Sequence, residues 1–326
     1  MGQARPRQSH CHSKSSLSKV FAMSSSTPLL SVILVAHDHG IETLEICLRG
    51  YLKQTAGCGA LEILLMDQLG TQDMQGLCAE LAGAGLNIRR CGCSRPGRAA
   101  GRNEGLDNAR GCLIALVADD FLPHPAWAEE HLNFHRLHPE ENACCLGPAV
   151  YPADLCQNNF MRWMEQSGSL FGTSFYEPEN KKPARDFFYG ANVSLKTSFL
   201  KTHGRSDENF LFHAWDDYEL GGRLLRAGLE IHYQPAALAY HIHPSTPEGR
   251  SVALREAGIS AHVYERKYPG KKSWHRKTRQ PLWRHRLRKE VCAFLYRLTG
   301  QARHRDDYFA AWMDEAFSEG YRNKAT

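Results

Sequence analysis

The sequence predicts an α/β chain: a doubly wound, mostly parallel sheet flanked by helices, followed by a helical C-terminal extension. Three observations carry this expectation. Apolar runs of strand length, at Leu29–Ala36, Leu61–Met66 and Cys112–Ala118, each stop at a polar or acidic residue. Segments with helical spacing alternate with these runs, the pattern of strand–helix–strand units in a parallel sheet. From about residue 246 onward the pattern becomes helical and amphipathic.

Taken in order, residues 1–27 are polar, Ser-rich and basic, and read as a disordered tail. Leu29–Ala36 is apolar throughout, as a strand buried on both faces must be. Ile41–Gln54 repeats Leu44, Cys47, Leu48, Tyr51 and Leu52 at helical spacing. Leu61–Met66 is a second strand, stopped at Asp67. Met74–Ala84 reads as a helix, Asn87–Cys91 as a short strand and Gly101–Arg110 as a helix opened by glycine. Cys112–Ala118 is a strand stopped at Asp119-Asp120. Pro125–Leu137 is predicted as a helix and Cys144–Val150 as a strand. Residues 151–187 form a loop with a short helix, carrying Phe160, Trp163, Phe171, Phe175 and Tyr176. Phe188–Leu195 is a strand entering a helix at Lys196–His203. Asp216–Ala227 is a helix, and Glu230–Tyr240 a strand broken by Pro235. The organisation expected is a tail to 27, an α/β domain over 28–245 whose two halves meet near 120, and an extension over 246–326.

The net charge of +5 on 326 residues is unevenly distributed. Residues 1–22 carry +4, residues 266–289 carry eleven Lys/Arg and no acid, and residues 290–326 carry −1, which leaves −9 for residues 23–265. A nucleic-acid binder more often places its positive charge on the folded domain, so no nucleic acid is expected as a partner. The longest apolar run, Leu29–Ala36, is far short of the roughly 20 residues a membrane span requires. Eleven cysteines are scattered without zinc-ribbon spacing, and residues 1–22 lack the apolar core of a secretory signal. A cytoplasmic chain with free thiols is expected. Met23 could also serve as the start.

Four motifs carry chemistry. In doubly wound sheets, ligands bind beyond the carboxyl ends of the strands, so Ala36–Asp38, Asp67 and Asp119–Asp120 are expected to line one crevice. Adjacent carboxylates at a strand end can hold Mg2+ or Mn2+ beside a diphosphate. Arg102-Asn103 near a helix start suits a phosphate or nucleotide. Trp215-Asp216-Asp217-Tyr218 opens a helix with acids, one of which could act as general base. Tyr240-His241-Ile242-His243 places two histidines at the end of a strand. His131, His135 and His138 share a helical face but lack the acid of a zinc-protease motif, and read as structural.

The order and spacing of these pieces resemble the family 2 glycosyltransferases of the GT-A fold. The matching stretches are Ser31–Asp38, Glu62–Asp67, Gly101–Gly105, Ala109–Gly111, Leu116–Asp120, Tyr189–Ser194, Trp215–Gly221 and Tyr240-His241. The resemblance implies that Ala36, Asp38 and Asp67 hold the base and ribose of a nucleotide-sugar. Arg102, Asn103 and Asp119 join the donor site. Asp120 and His241 bind the metal, and Asp217 is the general base. It further implies metal-assisted transfer of one sugar, with inversion, from a UDP-sugar to the hydroxyl of a glycan or lipid-linked acceptor. The chain departs from the family pattern at Ala118, where the first carboxylate of the D-x-D motif would stand. It departs again at Asp67-Gln68-Leu69-Gly70, usually D-D-G-S, and at Asp216, usually Glu. Two other readings stay open at this point. One is a degenerate GT-A domain serving as a binding scaffold, and the other is a different nucleotide-dependent transferase.

The basic extension adds a question of location. Trp283, Leu287, Val291, Phe294, Leu295 and Leu298 share one helical face, with Arg284, Arg286, Arg288 and Lys289 around them. Residues 266–298 could rest on an anionic membrane surface, making the protein peripheral on the inner face. Alternatively the apolar stripe packs on the catalytic domain while its charges stay solvated.

Overall fold

The computed structural model describes residues 28–323 apart from 38, 71, 156, 171–187, 213 and 271–279. The tail 1–27, Asp38 and the aromatic residues Phe171, Phe175 and Tyr176 therefore lie outside the described residues. A seven-stranded sheet runs in the order β3-β2-β1-β4-β8-β6-β9. Its first half is parallel: β1 (Leu30–Ala36) lies between β2 (Leu61–Asp67) and β4 (Leu113–Val117), with β3 (Ile88–Gly92) at the edge. β8 (Asn192–Lys196) then enters antiparallel between β4 and β6 (Ala143–Leu146), and β9 (Glu230–Tyr233) closes the far edge parallel to β6. All residues of β1, β2 and β4 are buried, because helices cover both faces.

On one face, α1 (Ile41–Tyr51) and α2 (Gln72–Gly83) bury Leu44, Leu48, Tyr51 and Leu81 against Leu30, Val32, Leu34 and Leu65. On the other face, α3 (Arg98–Asn108) lies against β1 and β2. It can approach closely because Gly101 and Gly105 face Val35 and Ile33. A Cβ at either glycine would come within 2.8 Å and 2.6 Å of those side chains. α3 begins three residues before the expected Gly101, with Gly97 as its N-cap at φ 100°. A second, three-stranded sheet joins β5 (Phe121–Pro123), β10 (Ala239–His241) and β7 (Ala149–Val150).

The predicted strand Cys144–Val150 is thus two strands in two sheets. Gly147 and Pro148 divide it, since proline cannot donate to a ladder. The Pro148 carbonyl instead accepts from the Asn192 side chain and from Ala239 N–H. The predicted strand Glu230–Tyr240 divides in the same way into β9 and β10, around Pro235.

α4 (Trp127–Leu137) packs on β6. α5 (Asn159–Gln166) is capped by the Asn158 side chain accepting from Met161 N–H. α6 (Thr197–His203) follows β8 directly, and α7 (Trp215–Arg226) precedes β9. The extension is three helices: α8 (Pro247–Lys267), α9 (Leu282–Thr299) and α10 (Ala302–Arg322). α8 and α10 cross at backbone contact through Gly258 and Gly320. Trp215, Tyr264 and Phe317 bury together with Phe210, which joins α7 to the extension. Among the described residues no helix is long and apolar enough to cross a membrane.

Candidate active site

The crevice lies beyond the carboxyl ends of β1 and β4, where the sheet order reverses. Asp119 and Asp120 follow β4 and are both buried, at 3% and 5% exposure. β10 pairs antiparallel with β5 so that His241 stands opposite Phe121, and Ile242 N–H donates to the Asp120 carbonyl. This pairing brings a histidine from late in the chain onto the diacid: His241 Nε2 lies 2.7 Å from Asp120 Oδ2. The loop after β1 supplies a second histidine. His39 Nδ1 lies 2.9 Å from Asp119 Oδ1, and its Nε2 lies 3.4 Å from Asp120 Oδ2. His37 N–H donates to the other Asp119 oxygen at 3.3 Å, and the His243 ring sits 4.9 Å from His39.

Electrostatics follow from this crowding. Burial pulls the His39 pKa down, but the Asp119 hydrogen bond and the charges of Asp120 and Asp119 outweigh it, so the ring is held above its usual value. Burial would raise the Asp120 carboxyl, yet the His241 and His39 rings hold it below its usual range. His243 is pushed down by burial and by His39. The donor atoms of His39, Asp119 and Asp120 fall within 4.8 Å of one another. Carboxylate and imidazole donors converging this closely fit a divalent cation.

A second acidic group is gripped by α3. Arg102, one turn into α3, donates from Nη1 to Asp217 Oδ1 at 2.6 Å and to Asp216 Oδ2 at 3.0 Å. Its Nη2 donates to the Gly190 carbonyl at 2.8 Å. Gly190 leaves room for this contact, since a Cβ there would stand 2.6 Å from both Arg102 Nη2 and Asp217 Oδ1 and would displace those side-chain ends. Asp216 is buried, and its Oδ1 has no hydrogen-bond partner among the described residues. Burial, then the neighbouring Asp217 charge, pushes Asp216 up to about 6 against the pull of Arg102. The Asp217 side chain is more open, at 18% exposure. α7 starts from Ala214, a non-glycine residue at φ 87° and ψ −54°. That strained backbone lies two residues before the first of the two acids.

Arg98, the first residue of α3, acts electrostatically on His39, Asp120 and Asp216 alike. The charge of one guanidinium therefore acts on both acidic groups. Gln68 fixes the start of α3: its Nε2 donates to the Gly97 carbonyl at 2.7 Å, and its Oε1 accepts from Gly97 N–H at 3.0 Å. A pocket of ≈ 210 Å³ opens beside this helix end, lined by His37, Gly97, Arg98, Leu211, Phe212 and Glu256 of α8.

Of the residues singled out in the sequence, Arg102, Asp216 and Asp217 meet in one contact set, and Asp119, Asp120 and His241 in the other. Three are engaged elsewhere. The Asp67 carboxylate accepts from Arg90 at 2.7 Å and from the N–H groups of Leu69 and Gly70. Asn103 is buried, exchanging hydrogen bonds with the Ser206 backbone and donating to Glu208. Ala36 is fully buried, and its carbonyl accepts from Gln68 N–H. Sequence reasoning missed His39, Arg98 and Gly190. His39 stood one residue past the loop it named. Gly97-Arg98 is a helix-start signal that placing the helix at Gly101 concealed.

A model of glycosyl transferase family 2 matches residues 31–203, more than half of the chain. The chain belongs to glycosyl transferase family 2. Chondroitin synthase of Escherichia coli is 26% identical over 195 residues, which is 52% of this chain and 28% of the synthase. Hyaluronan synthase of Pasteurella multocida is 28% identical over 199 residues, 52% of this chain and 20% of that one. The matched region thus spans less than a third of either relative. Among solved structures, the mannosyltransferase PcManGT from Pyrobaculum calidifontis, in complex with GDP-Man and Mn2+, has a TM-score of 0.59 at 14% identity. The alignment covers 91% of this chain and 88% of that one. S. aureus TarS 1–349 in complex with UDP has a TM-score of 0.52 at 13% identity, covering 90% of each. At such identities the likeness establishes the fold, which is GT-A. The family 2 match ends at His203, so Asp216, Asp217 and His241 are tied to the site by geometry alone.

Proposed function

We propose that this family 2 member transfers a single sugar, with inversion, from a nucleotide-sugar to a hydroxyl of a glycan or lipid-linked acceptor. One observation carries the reading: a cation-suited cluster and an arginine-gripped carboxylate pair both feel the charge of Arg98 at the start of α3. Asp119, Asp120, His39 and His241 would hold the metal. Two imidazoles in the set favour Mn2+ over Mg2+, which prefers oxygen ligands. When bound, the ion supplies positive charge against the diphosphate as it leaves.

The chain's own groups supply the rest. The N-terminus of α3 and Arg98 present positive charge to phosphate oxygens at the mouth of the pocket. Asp217 is the base we assign to the acceptor hydroxyl. Arg102 grips its Oδ1 and fixes the carboxylate's direction, so Oδ2 is the atom assigned to take the proton. Asp216, biased toward its protonated form, weakens the repulsion that a second buried charge would exert on that base. One base and one direct displacement invert the anomeric centre. Within this proposal Ala36 and Asp67 border the base and ribose, and Asn103 acts indirectly by holding Ser206 and Glu208.

TarS was solved with UDP and PcManGT with GDP-Man, and we name a UDP-sugar as the donor to be tried first. Asp217→Asn should lower kcat by at least about 10²-fold while nucleotide affinity stays within a factor of a few. Near-wild-type turnover in that variant would overturn the assignment. A thermal-shift panel of nucleotide-sugars with Mn2+ identifies the donor, because binding to the folded state raises the midpoint.

A further inference from the structure

The apolar stripe anticipated on the extension is left uncovered by the fold. Trp283, Leu287, Val291, Phe294 and Leu298 of α9 are each between 46% and 70% exposed. At about 100° per residue they occupy an arc of only about 80°. Among the described residues, no packing on the α/β domain hides them. α9 is held instead by its opposite side. His285 is buried against Ser318, Arg286 pairs with Glu315 and Glu319, Arg288 with Asp314 at 2.7 Å, and Lys289 with Glu315. α10 therefore fixes the rotation of α9 and turns the stripe outward.

The borders of the stripe are charged. Arg284 lies on one flank, its guanidinium 5.4 Å from the Trp283 ring, and Arg297 and Glu290 fall on the other. The sequence running into this helix is the most basic of the chain, with eleven Lys/Arg and no acid over residues 266–289. An apolar strip ending in tryptophan and continuous with a strongly basic run has the chemistry of an anionic lipid interface. A second copy of the same face would bring two basic runs together, so self-association is disfavoured.

We propose that α9 seats the enzyme on an anionic lipid bilayer. Trp283, Leu287, Val291, Phe294 and Leu298 enter the boundary between headgroups and acyl chains, and Arg284 on the flank of the stripe meets the phosphates. The site where sugar transfer occurs plays no part in this inference, which stands or falls separately from the proposed reaction.

The test is co-sedimentation of the full chain with phosphatidylglycerol-rich vesicles and with pure phosphatidylcholine vesicles. Binding to the anionic vesicles is expected, weakening as salt is raised. Combining Leu287→Asp with Phe294→Asp should lower it by about a hundredfold. Both positions are exposed, so the thermal midpoint and the affinity for UDP should not change. Equal partition of wild type and the double variant onto anionic vesicles would overturn the proposal. So would failure of the wild type to bind them, or a concentration-dependent dimer that the same substitutions abolish without any vesicle binding.

Discussion

The histidines of α4 and the histidines around Asp119 and Asp120 differ in what their ring nitrogens meet. Along α4 the donors and acceptors form one ordered chain. Lys196 Nζ donates to His135 Nδ1 at 2.9 Å, and His135 Nε2–H donates to Ser194 Oγ at 2.9 Å. Ser194 O–H then donates to His131 Nδ1 at 2.8 Å, and His131 Nε2–H to Asn192 Oδ1 at 3.2 Å. Trp127 Nε1–H meets the same Asn192 oxygen at 2.7 Å. This is the proton order in which each ring N–H and the serine O–H finds an acceptor. Nothing in the chain is left to bind a ligand, and it joins α4 to β8 inside the protein. Around Asp119 and Asp120 acceptors converge instead, two carboxylates on two imidazoles, at the mouth of a crevice. A run of histidines on one helix face is therefore a weaker sign of function than histidines brought from distant loops onto a pair of acids.

Breaking the first network should affect stability and spare binding. Asn192→Ala removes the acceptor for Trp127 and His131 and the donor to the Pro148 and Ala237 carbonyls. Chemical denaturation should show a loss of at least about 3 kcal/mol, with nucleotide affinity intact in the folded fraction. A loss of affinity with unchanged stability would reverse the roles given to the two regions.

The same network sets an acid limit on the fold. Burial holds His131 down to about 4 from 6.5, so its contribution is fully present above pH 6.5. The unfolded chain protonates first as pH falls, and stability is lost progressively from pH 6.5 toward 4. The loss amounts to about 3 kcal/mol, measurable as denaturation midpoints against pH. Replacing His131 with Gln should make that limb shallower without removing it, because burial also holds His135 well below its usual value.

On the catalytic side, Gly190→Ala would press a methyl group between Arg102 and Asp217. Both neighbours are ends of flexible side chains, so the fold should tolerate it. Turnover should fall by about tenfold as the base is misdirected. The smallest effect is expected at Ala214. Changing it to Gly relieves the positive φ and should raise stability by about 1 kcal/mol, with kcat changed more than KM if the strain aims Asp217.

The parallel half of the sheet was legible because its signals are local: continuous apolar runs, each stopped by a polar residue. The diacid at the end of β4 and the acidic start of α7 were legible for the same reason. The family model later matched the region in which most of these motifs stand. What stayed hidden depends on the path of loops. His39 reaches the diacid only because the segment after β1 bends over Asp119, and Gly190 matters only because Arg102 extends across from α3. Proline and glycine at 147–148 redirected a strand into the second sheet, which is what presents His241. Asn103 and Asp67 carry the residue types of a ligand site, but their partners are protein groups that no spacing rule identifies.

The central claim is that Asp119, Asp120 and their histidines hold the cation that allows nucleotide binding. Calorimetry of UDP with and without Mn2+, on the wild type and on Asp120→Asn, tests it most directly. The account predicts tight binding only with Mn2+ and only in the wild type, the variant losing at least about tenfold in Mn2+ affinity. Equal UDP binding with and without Mn2+, or an unchanged Mn2+ affinity in Asp120→Asn, would contradict it.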